Sequence, residues 1–309
     1  MQTSKITLTA RDGLEVVVHR HVPDDRPVRG VVNLAHGMTE HARRHDHLAE
    51  ALTAVGVAVY AEDHRGHGET APSEDDLGHL ADSHGWALLL DDLHRVTLRA
   101  VADHPGVPVV LLGHSMGSFL AQQYLFTFPD ELTAVVLSGS SGPQGPAVEA
   151  GAVVARIEER RLGPRGRSRL LDRLVGGAYN ARFAPTRTDF DWLSRDEAVV
   201  DAYVADPRCG FLPTTRFYRD LFAGVRVIGQ VDRVRSGARH DMPVYAFAGS
   251  EDPLGGAAGM DALLAHYEAA GMTAVDHRLY PGGRHEMLNE PEREEVIADL
   301  LGWLERHWR

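Results

Sequence analysis

The chain predicts an α/β protein: a mostly parallel central sheet covered by helices on both faces, carrying a helical insertion. Three observations predict it. Short, near-continuous apolar runs, of the kind seen in strands buried on both sides, alternate with stretches of helical spacing. That rhythm breaks once, over residues of about 145–235. A Gly-x-Ser-x-Gly sequence, Gly113-His114-Ser115-Met116-Gly117, sits between one apolar run and the next helical stretch.

Taken in order, residues 5–10 and 15–22 read as two strands joined by the turn Arg11-Asp12-Gly13. Residues 28–34 form the first continuous apolar strand. A helix is expected over 42–55, with Leu48, Leu52 and Val55 on one face and Gly56 as its stop. The strand 57–61 follows. Trp86, Leu89, Leu90, Leu93, Val96, Thr97 and Ala100 keep helical spacing. Then come strand 108–112, the Ser115 turn, a helix over 118–128 and a strand over 132–137. Strands 243–248 and 274–279 lie beyond the break. A final helix over 292–308 places Val296, Ile297, Leu300, Leu301 and Leu304 together, with Pro291 suited to its start.

Residues 1–144 and 236–309 therefore read as the core, and 145–235 as a helical cap. The cap holds no clear strand and carries sixteen arginines against twelve acidic residues between Pro146 and Arg235. Its plain reading is a solvated helical cover. Its sharper reading is that Arg156, Arg160, Arg161, Arg165, Arg167, Arg169 and Arg173 draw the cap to an anionic lipid surface or headgroup.

The bulk properties narrow the function. At 309 residues and 43% hydrophobic content the chain is an ordinary globular one. It has no apolar run long enough to span a bilayer. Its first residues lack the apolar core of a signal peptide. Cys209 is the only cysteine, so no intrachain disulfide can form. These features together favour the cytoplasm. A net charge of -12 argues against nucleic acid as a partner. Oligomeric state is not legible.

The chemistry centres on Ser115. A sharp strand-to-helix turn lifts a serine hydroxyl clear of the backbone, and the N–H of the next residue, Met116, faces a developing oxyanion. A serine nucleophile needs a base, and the base needs a carboxylate to orient it. The loop after strand 243–248 offers Asp252, with Glu251 as a rival. The loop after 274–279 offers His285. Both lie just past a strand and follow Ser115 in the order this architecture uses. A second oxyanion donor is expected from the loop after 28–34, His36-Gly37-Met38-Thr39, where the Met38 N–H can join that of Met116. The side chains of Met38 and Met116 either line the acyl pocket or fill space.

The set His36-Gly-Met-Thr-Glu40-His41, Asp63-His-Arg-Gly-His-Gly68, Gly113 to Gly117, Asp252 and His285 resembles the α/β-hydrolase superfamily. Within it, the chain is similar to the monoacylglycerol lipase and bacterial lysophospholipase-like family of S33-type serine hydrolases. The cap stretches Asp191 to Asp196 and Asp206 to Phe211 share that likeness. The resemblance implies Ser115 as nucleophile, His285 as base, Asp252 as orienter and the Met38 and Met116 amides as oxyanion hole. It implies an acyl ester as substrate and no metal or organic cofactor. Thr70 stands where the family often has serine. A lysophospholipase, a simple carboxylesterase, a thioesterase and a catalytically silent small-molecule receptor of the same fold are the alternatives.

Other signals are weaker. Gly66-His-Gly68-Glu-Thr-Ala71 matches a dinucleotide fingerprint on paper, but an acidic run follows it. His41 and His45 have the spacing of metal ligands on one helix face, without the rest of a zinc motif. Glu40, His41 and Arg44 either brace the adjoining helix or lie on the surface. Cys209 reads as cap packing. Phe217, Leu221, Val225 and Ile228 share one face of a helix over 214–228. They pack the cap on the core, with Phe217 and Leu221 as candidates, beside Trp192 and Phe211, for an acyl channel.

Overall fold

The computed structural model describes residues 1–308. In chain order the elements are β1 (Gln2–Thr9), β2 (Glu15–Val22), β3 (Gly30–Ala35), α1 (Asp46–Ala54), β4 (Val57–Glu62), α2 (Gly85–Asp103), β5 (Val109–His114), α3 (Met116–Thr127) and β6 (Ala134–Ser138). There follow α4 (Pro146–Leu162), α5 (Arg169–Asp172), α6 (Ala178–Ala181), α7 (Glu197–Ala205), α8 (Thr215–Ile228) and α9 (Val231–Gly237). The chain ends with β7 (Val244–Gly249), α10 (Ala257–Ala270), β8 (Val275–Tyr280) and α11 (Arg293–His307).

All eight strands form one sheet in the order β1-β2-β4-β3-β5-β6-β7-β8. The β1–β2 and β2–β4 pairs are antiparallel, and every later pair is parallel. Side chains of alternate strand residues separate into two cores. Val31, Val109, Leu111 and Val135 join the larger core with α2, α3, α8 and α10. Val32, Leu34, Val110 and Leu112 join the smaller one, where Leu48 and Leu52 of α1 meet Val296, Leu300 and Trp303 of α11. Helices thus cover both faces, and the central strands are buried throughout.

The sequence reading needs correction at three places. The helix expected over 42–55 starts as a tight turn over Ala42–His45 and becomes α-helical only at Asp46. Asp63 Oδ1 accepts the Ala42 N–H at 2.9 Å and pins that first turn. Helix α10 was not anticipated. Its Met260, Leu263, Tyr267 and Ala270 are buried at helical spacing, but the alanines between them blur the apolar contrast. The helix after the Ser115 turn begins at Met116 rather than at 118.

Between β6 and β7 the chain adds no strand to the sheet among the described residues. Helices α8 and α9 pack into the larger core, with Phe217, Tyr218 and Val234 fully or almost fully buried. Thr214 caps α8 by accepting the Phe217 N–H at 3.2 Å.

One buried ion pair ties the layers together. Arg65, in the loop after β4, donates to Asp92 of α2 at 2.7 and 3.2 Å and to Asp12 of the β1–β2 turn at 3.0 and 3.2 Å. Arg65 and Asp92 are both 1% exposed. Asp92→Ala would leave a buried guanidinium with the Leu80 carbonyl and, as its one remaining carboxylate, the more exposed Asp12, and is expected to cost about 3 kcal/mol of stability. Urea denaturation of the purified variant checks this.

Candidate active site

Ser115 is forced into its position by backbone crowding. β3 and β5 are neighbours, with Ala35 opposite Gly113. A Cβ on Gly117 would lie 2.1 Å from the Ala35 carbonyl oxygen, and one on Gly113 would lie 2.3 Å from the Gly117 carbonyl oxygen. Only glycine fits either place, which accounts for the Gly-x-Ser-x-Gly spacing. Ser115 itself takes φ 51° and ψ -117°, a strained conformation for a residue with a side chain. Its N–H donates to Ser138 O at 2.9 Å, and Ser118 Oγ donates to Ser115 O at 2.5 Å.

The acid and base come from the next strands outward. Asp252 follows β7 and His285 follows β8. His285 Nδ1 donates to Asp252 Oδ1 at 3.0 Å. Both residues are 1% exposed. Asp252 Oδ1 also accepts the Leu254 N–H at 2.8 Å. Glu251, the rival acid, instead points outward and pairs with Arg182 at 3.2 Å. His285 Nε2 is buried and has no hydrogen-bond partner among the described residues, Ser115 Oγ included, so its lone pair is not engaged by another donor. Burial alone would lower the His285 pKa, but the Asp252 carboxylate outweighs it and holds the imidazole above its usual 6.5. Burial likewise pushes Asp252 up, and His285 brings it below the ordinary carboxylate value.

The loop after β3 closes on the serine. A Cβ at Gly37 would stand 3.2 Å from Ser115 Cβ, so the two turns are in contact. Gly37 donates its N–H to Glu40 Oε1 at 2.5 Å. Thr39 adopts φ 56°. Its carbonyl accepts from Tyr203 Oη and from the Gly210 N–H, both at 2.9 Å. Neither the Met38 nor the Met116 N–H donates to an acceptor among the described residues. Two donors on touching turns, one at a helix start, suit an oxyanion.

These turns open into a cavity of about 1000 Å³. Ser115 and His285 line it, as do the side chains of Met38, Met116 and Phe119. Of the four candidate pocket residues, Leu221, Phe211 and Trp192 line the cavity. Phe217 does not. It is wholly buried beneath, with its ring 5.9 Å from that of His67. Trp192 does more than line the wall: its ring lies 4.8 Å from His285, and its carbonyl accepts the His285 N–H at 3.4 Å. The residues flanking it hold the same loop. Leu193 O accepts the Glu286 N–H at 2.8 Å, and Ser194 Oγ donates to Asn289 O at 3.1 Å. Sequence patterning gave no sign of this clasp.

The discounted motifs find structural uses. In the Gly66-to-Ala71 stretch Asp63 accepts the Glu69 N–H at 2.7 Å, and Thr70 Oγ1 accepts the Val17 N–H at 2.9 Å. His41 and His45 do not converge as ligands. His41 Nε2 bonds Asp206 at 2.9 Å, while His45 faces Glu40 at 3.5 Å. Among the described residues, the group with ligand atoms within reach of one ion is His41, Asp206 and Cys209. The His41–Asp206 hydrogen bond already satisfies two of these. Burial pushes the Cys209 thiol far above its usual range and so away from a thiolate.

Comparison with known proteins agrees with this geometry. Residues 26–292 match the serine aminopeptidase S33 family. A monoacylglycerol lipase of Mycolicibacterium smegmatis is 34% identical over 297 residues, covering 96% of this chain and 94% of that protein. The human monoglyceride lipase is 27% identical over 303 residues, covering 96% and 89%. The crystal structure of a thermostable carboxyl esterase from Bacillus coagulans, in complex with glycerol, superposes with a TM-score of 0.90 at 26% identity, covering all of both chains. The fold is that of the α/β-hydrolases.

The electrostatics give a direct expectation. His285 should titrate above pH 6.5 in the native protein, because protonation is favoured by the buried carboxylate. Asp252→Asn removes the largest of the charges that oppose burial and leaves only the weaker effects of Glu286 and Glu40, so the same imidazole should titrate at lower pH than in the wild type. NMR of the histidine ring across pH measures both.

Proposed function

Because the chain belongs to the serine aminopeptidase S33 family, we propose that it is a serine carboxylic-ester hydrolase whose substrate is a monoacylglycerol. The observation that carries the reading is the buried Asp252–His285 pair, whose His285, with Nε2 unpaired among the described residues, lines the same cavity as Ser115.

In this reading Ser115 Oγ attacks the ester carbonyl while His285 Nε2 takes its proton. Asp252 fixes the imidazole tautomer and balances the imidazolium. The N–H groups of Met38 and Met116 receive the charge on the carbonyl oxygen. As the tetrahedral intermediate collapses, the C–O bond to glycerol breaks, and His285 returns the proton to the departing oxygen. Water then attacks the acyl-serine with His285 again as base, releasing the fatty acid. No step calls for a metal or an organic cofactor. The cavity lies at the upper end of the ~300–1,000 Å³ range of small-molecule sites. Its wall carries Phe119, Val148, Leu221 and Phe222, which suits an acyl chain.

We also propose that residues 145–235 act as a cap that meets a lipid surface. No described helix is long and apolar enough to cross a membrane. However, Val153 and Ile157 of α4, with Leu170 and Leu174 just beyond it, are each half exposed or more. Arg156, Arg160, Arg169 and Arg173 stand near them in sequence and form no ion pair among the described residues. Arg161 and Arg165 are paired with Glu158 and Asp76. Apolar side chains flanked by unpaired arginines favour an anionic interface.

Three outcomes test these readings. Ser115→Ala should lower turnover on the order of 10⁶-fold and abolish labelling by a fluorophosphonate probe. Retention of most esterase activity would remove the assignment. Fatty-acid release should be faster from monoacylglycerols than from lysophosphatidylcholine or short p-nitrophenyl esters, and the reverse order would move the substrate to another ester class. Ile157→Asp should weaken co-sedimentation with phosphatidylglycerol vesicles while leaving hydrolysis of a soluble ester intact.

A further inference from the structure

Arg44 does not line the cavity and belongs to none of the groups placed at the reacting atoms. Yet it is one of the most constrained side chains near them. Its Nη1 donates to Glu40 Oε2 at 2.6 Å and to Glu286 Oε1 at 2.5 Å, and its Nη2 donates to Glu286 Oε2 at 2.7 Å. Its guanidinium lies 4.7 Å from the Tyr203 ring centroid. The side chain is 10% exposed, and those of its two carboxylate partners only 2% and 3%.

We propose that Arg44 is a positioning residue for ester hydrolysis: through Glu40 and Glu286 it locks the oxyanion loop to the loop that carries the base. The inference deepens the reading of Ser115, His285 and Asp252 given above and rests on it.

One end of the bridge reaches a reacting group through a hydrogen bond and a peptide bond, the other through a peptide bond alone. Glu40 spends its second oxygen on the Gly37 N–H at 2.5 Å. Gly37 directly precedes Met38, whose N–H faces the oxyanion. Glu286 directly follows His285, and its Oε2 also accepts from Asn289 Nδ2 at 3.0 Å. A rigid planar fork bound to both carboxylates therefore fixes how far Met38 N–H stands from His285 Nε2. Lysine could supply the charge but not the two-pronged bond. Tyr203 completes the set, since its ring stacks near Arg44 while its hydroxyl donates to Thr39 O.

The charges balance in the same way. Burial opposes ionisation of both glutamates, but His45 and Arg44 hold Glu40 well below its usual value, and Arg44 brings Glu286 below its own. The pair of carboxylates in turn keeps Arg44 charged against its own burial. Both glutamates also favour the protonated form of His285, after the larger effect of Asp252. His114, its ring 5.0 Å from His285, is held neutral by burial.

The experiment compares full-length Arg44→Lys, Arg44→Met and Glu286→Gln with the wild type, per site titrated by a fluorophosphonate. Displacing an oxyanion donor or base by about 1 Å costs about 10²-fold in rate. Arg44→Met should therefore lower kcat about 100-fold with KM little changed. Affinity for a phenylboronic acid, which mimics the oxyanion, should fall with kcat. Arg44→Lys should recover only part of both. Glu286→Gln should lower kcat and move the acid limb of kcat/KM to lower pH, because a negative charge beside His285 is gone. Wild-type kcat and boronate affinity per titrated site in Arg44→Met would overturn the proposal. So would a loss confined to folded yield, with every titrated site normal. If Arg44→Met does not fold, Arg44→Lys and Glu286→Gln decide on the same readouts. A wild-type protein that neither labels nor hydrolyses esters would remove the parent reading instead, a result distinct from an unimpaired variant.

Discussion

The site rests on the contact between two turns that leave neighbouring strands. β3 and β5 lie side by side, and the chain beyond each folds back across the other at Gly117 and Ala35. The space there holds backbone alone, since a single methyl group on Gly117 would meet the Ala35 oxygen at 2.1 Å. That contact places the Gly37 loop against Ser115. The positive φ of Ser115 is the conformational cost of the same bend, held in place by bonds to Ser118 and Ser138. Larger residues at 113 or 117 would separate nucleophile from oxyanion loop without touching a reacting atom.

Around this contact the remaining pieces arrive by strand order. β6, β7 and β8 continue the sheet outward, so the loops bearing Asp252 and His285 emerge on the same edge as Ser115. The segment between β6 and β7 then divides by what it touches. Residues 192–194 bond the His285 loop, and Tyr203 and Gly210 bond Thr39 of the oxyanion loop. This part belongs to the catalytic scaffold as much as to its cover. Helix α4 and the turns after it wall the cavity and face solvent.

The fold was legible because its strands are apolar on both faces and its helices mostly are not. Ser115, Asp252 and His285 could be singled out as candidates because each follows a strand, a placement that sequence order preserves, and the fold brings His285 against Asp252 and into one cavity with Ser115. What sequence could not supply is contact between distant side chains. Phe217 shares a helical face with Leu221, yet one turn of α8 separates buried packing from the cavity wall. Helix α10 was missed because alanine packs equally well on either face of a helix. His41 and His45 are spaced like ligands, but His41 is bonded to a carboxylate more than 160 residues away, and His45 is buried beside Glu40. The grip of Trp192 on His285 spans over ninety residues and has no local signature.

Eighteen histidines gave composition no means of choosing a base. The interior does choose. Burial drives His36 well below its usual value, His67 to about 3 and His114 to about 4, so all three are neutral wherever the protein is folded near neutrality. His285 is buried as deeply, yet its affinity for a proton rises, because Asp252 is buried beside it and bonded to it. A histidine of such low proton affinity can pack against the site or accept a hydrogen bond, but it cannot readily hold the proton of an attacking serine. Burial without a bonded carboxylate thus makes His36, His67 and His114 poor proton acceptors, and at His285 the bonded Asp252 reverses that effect.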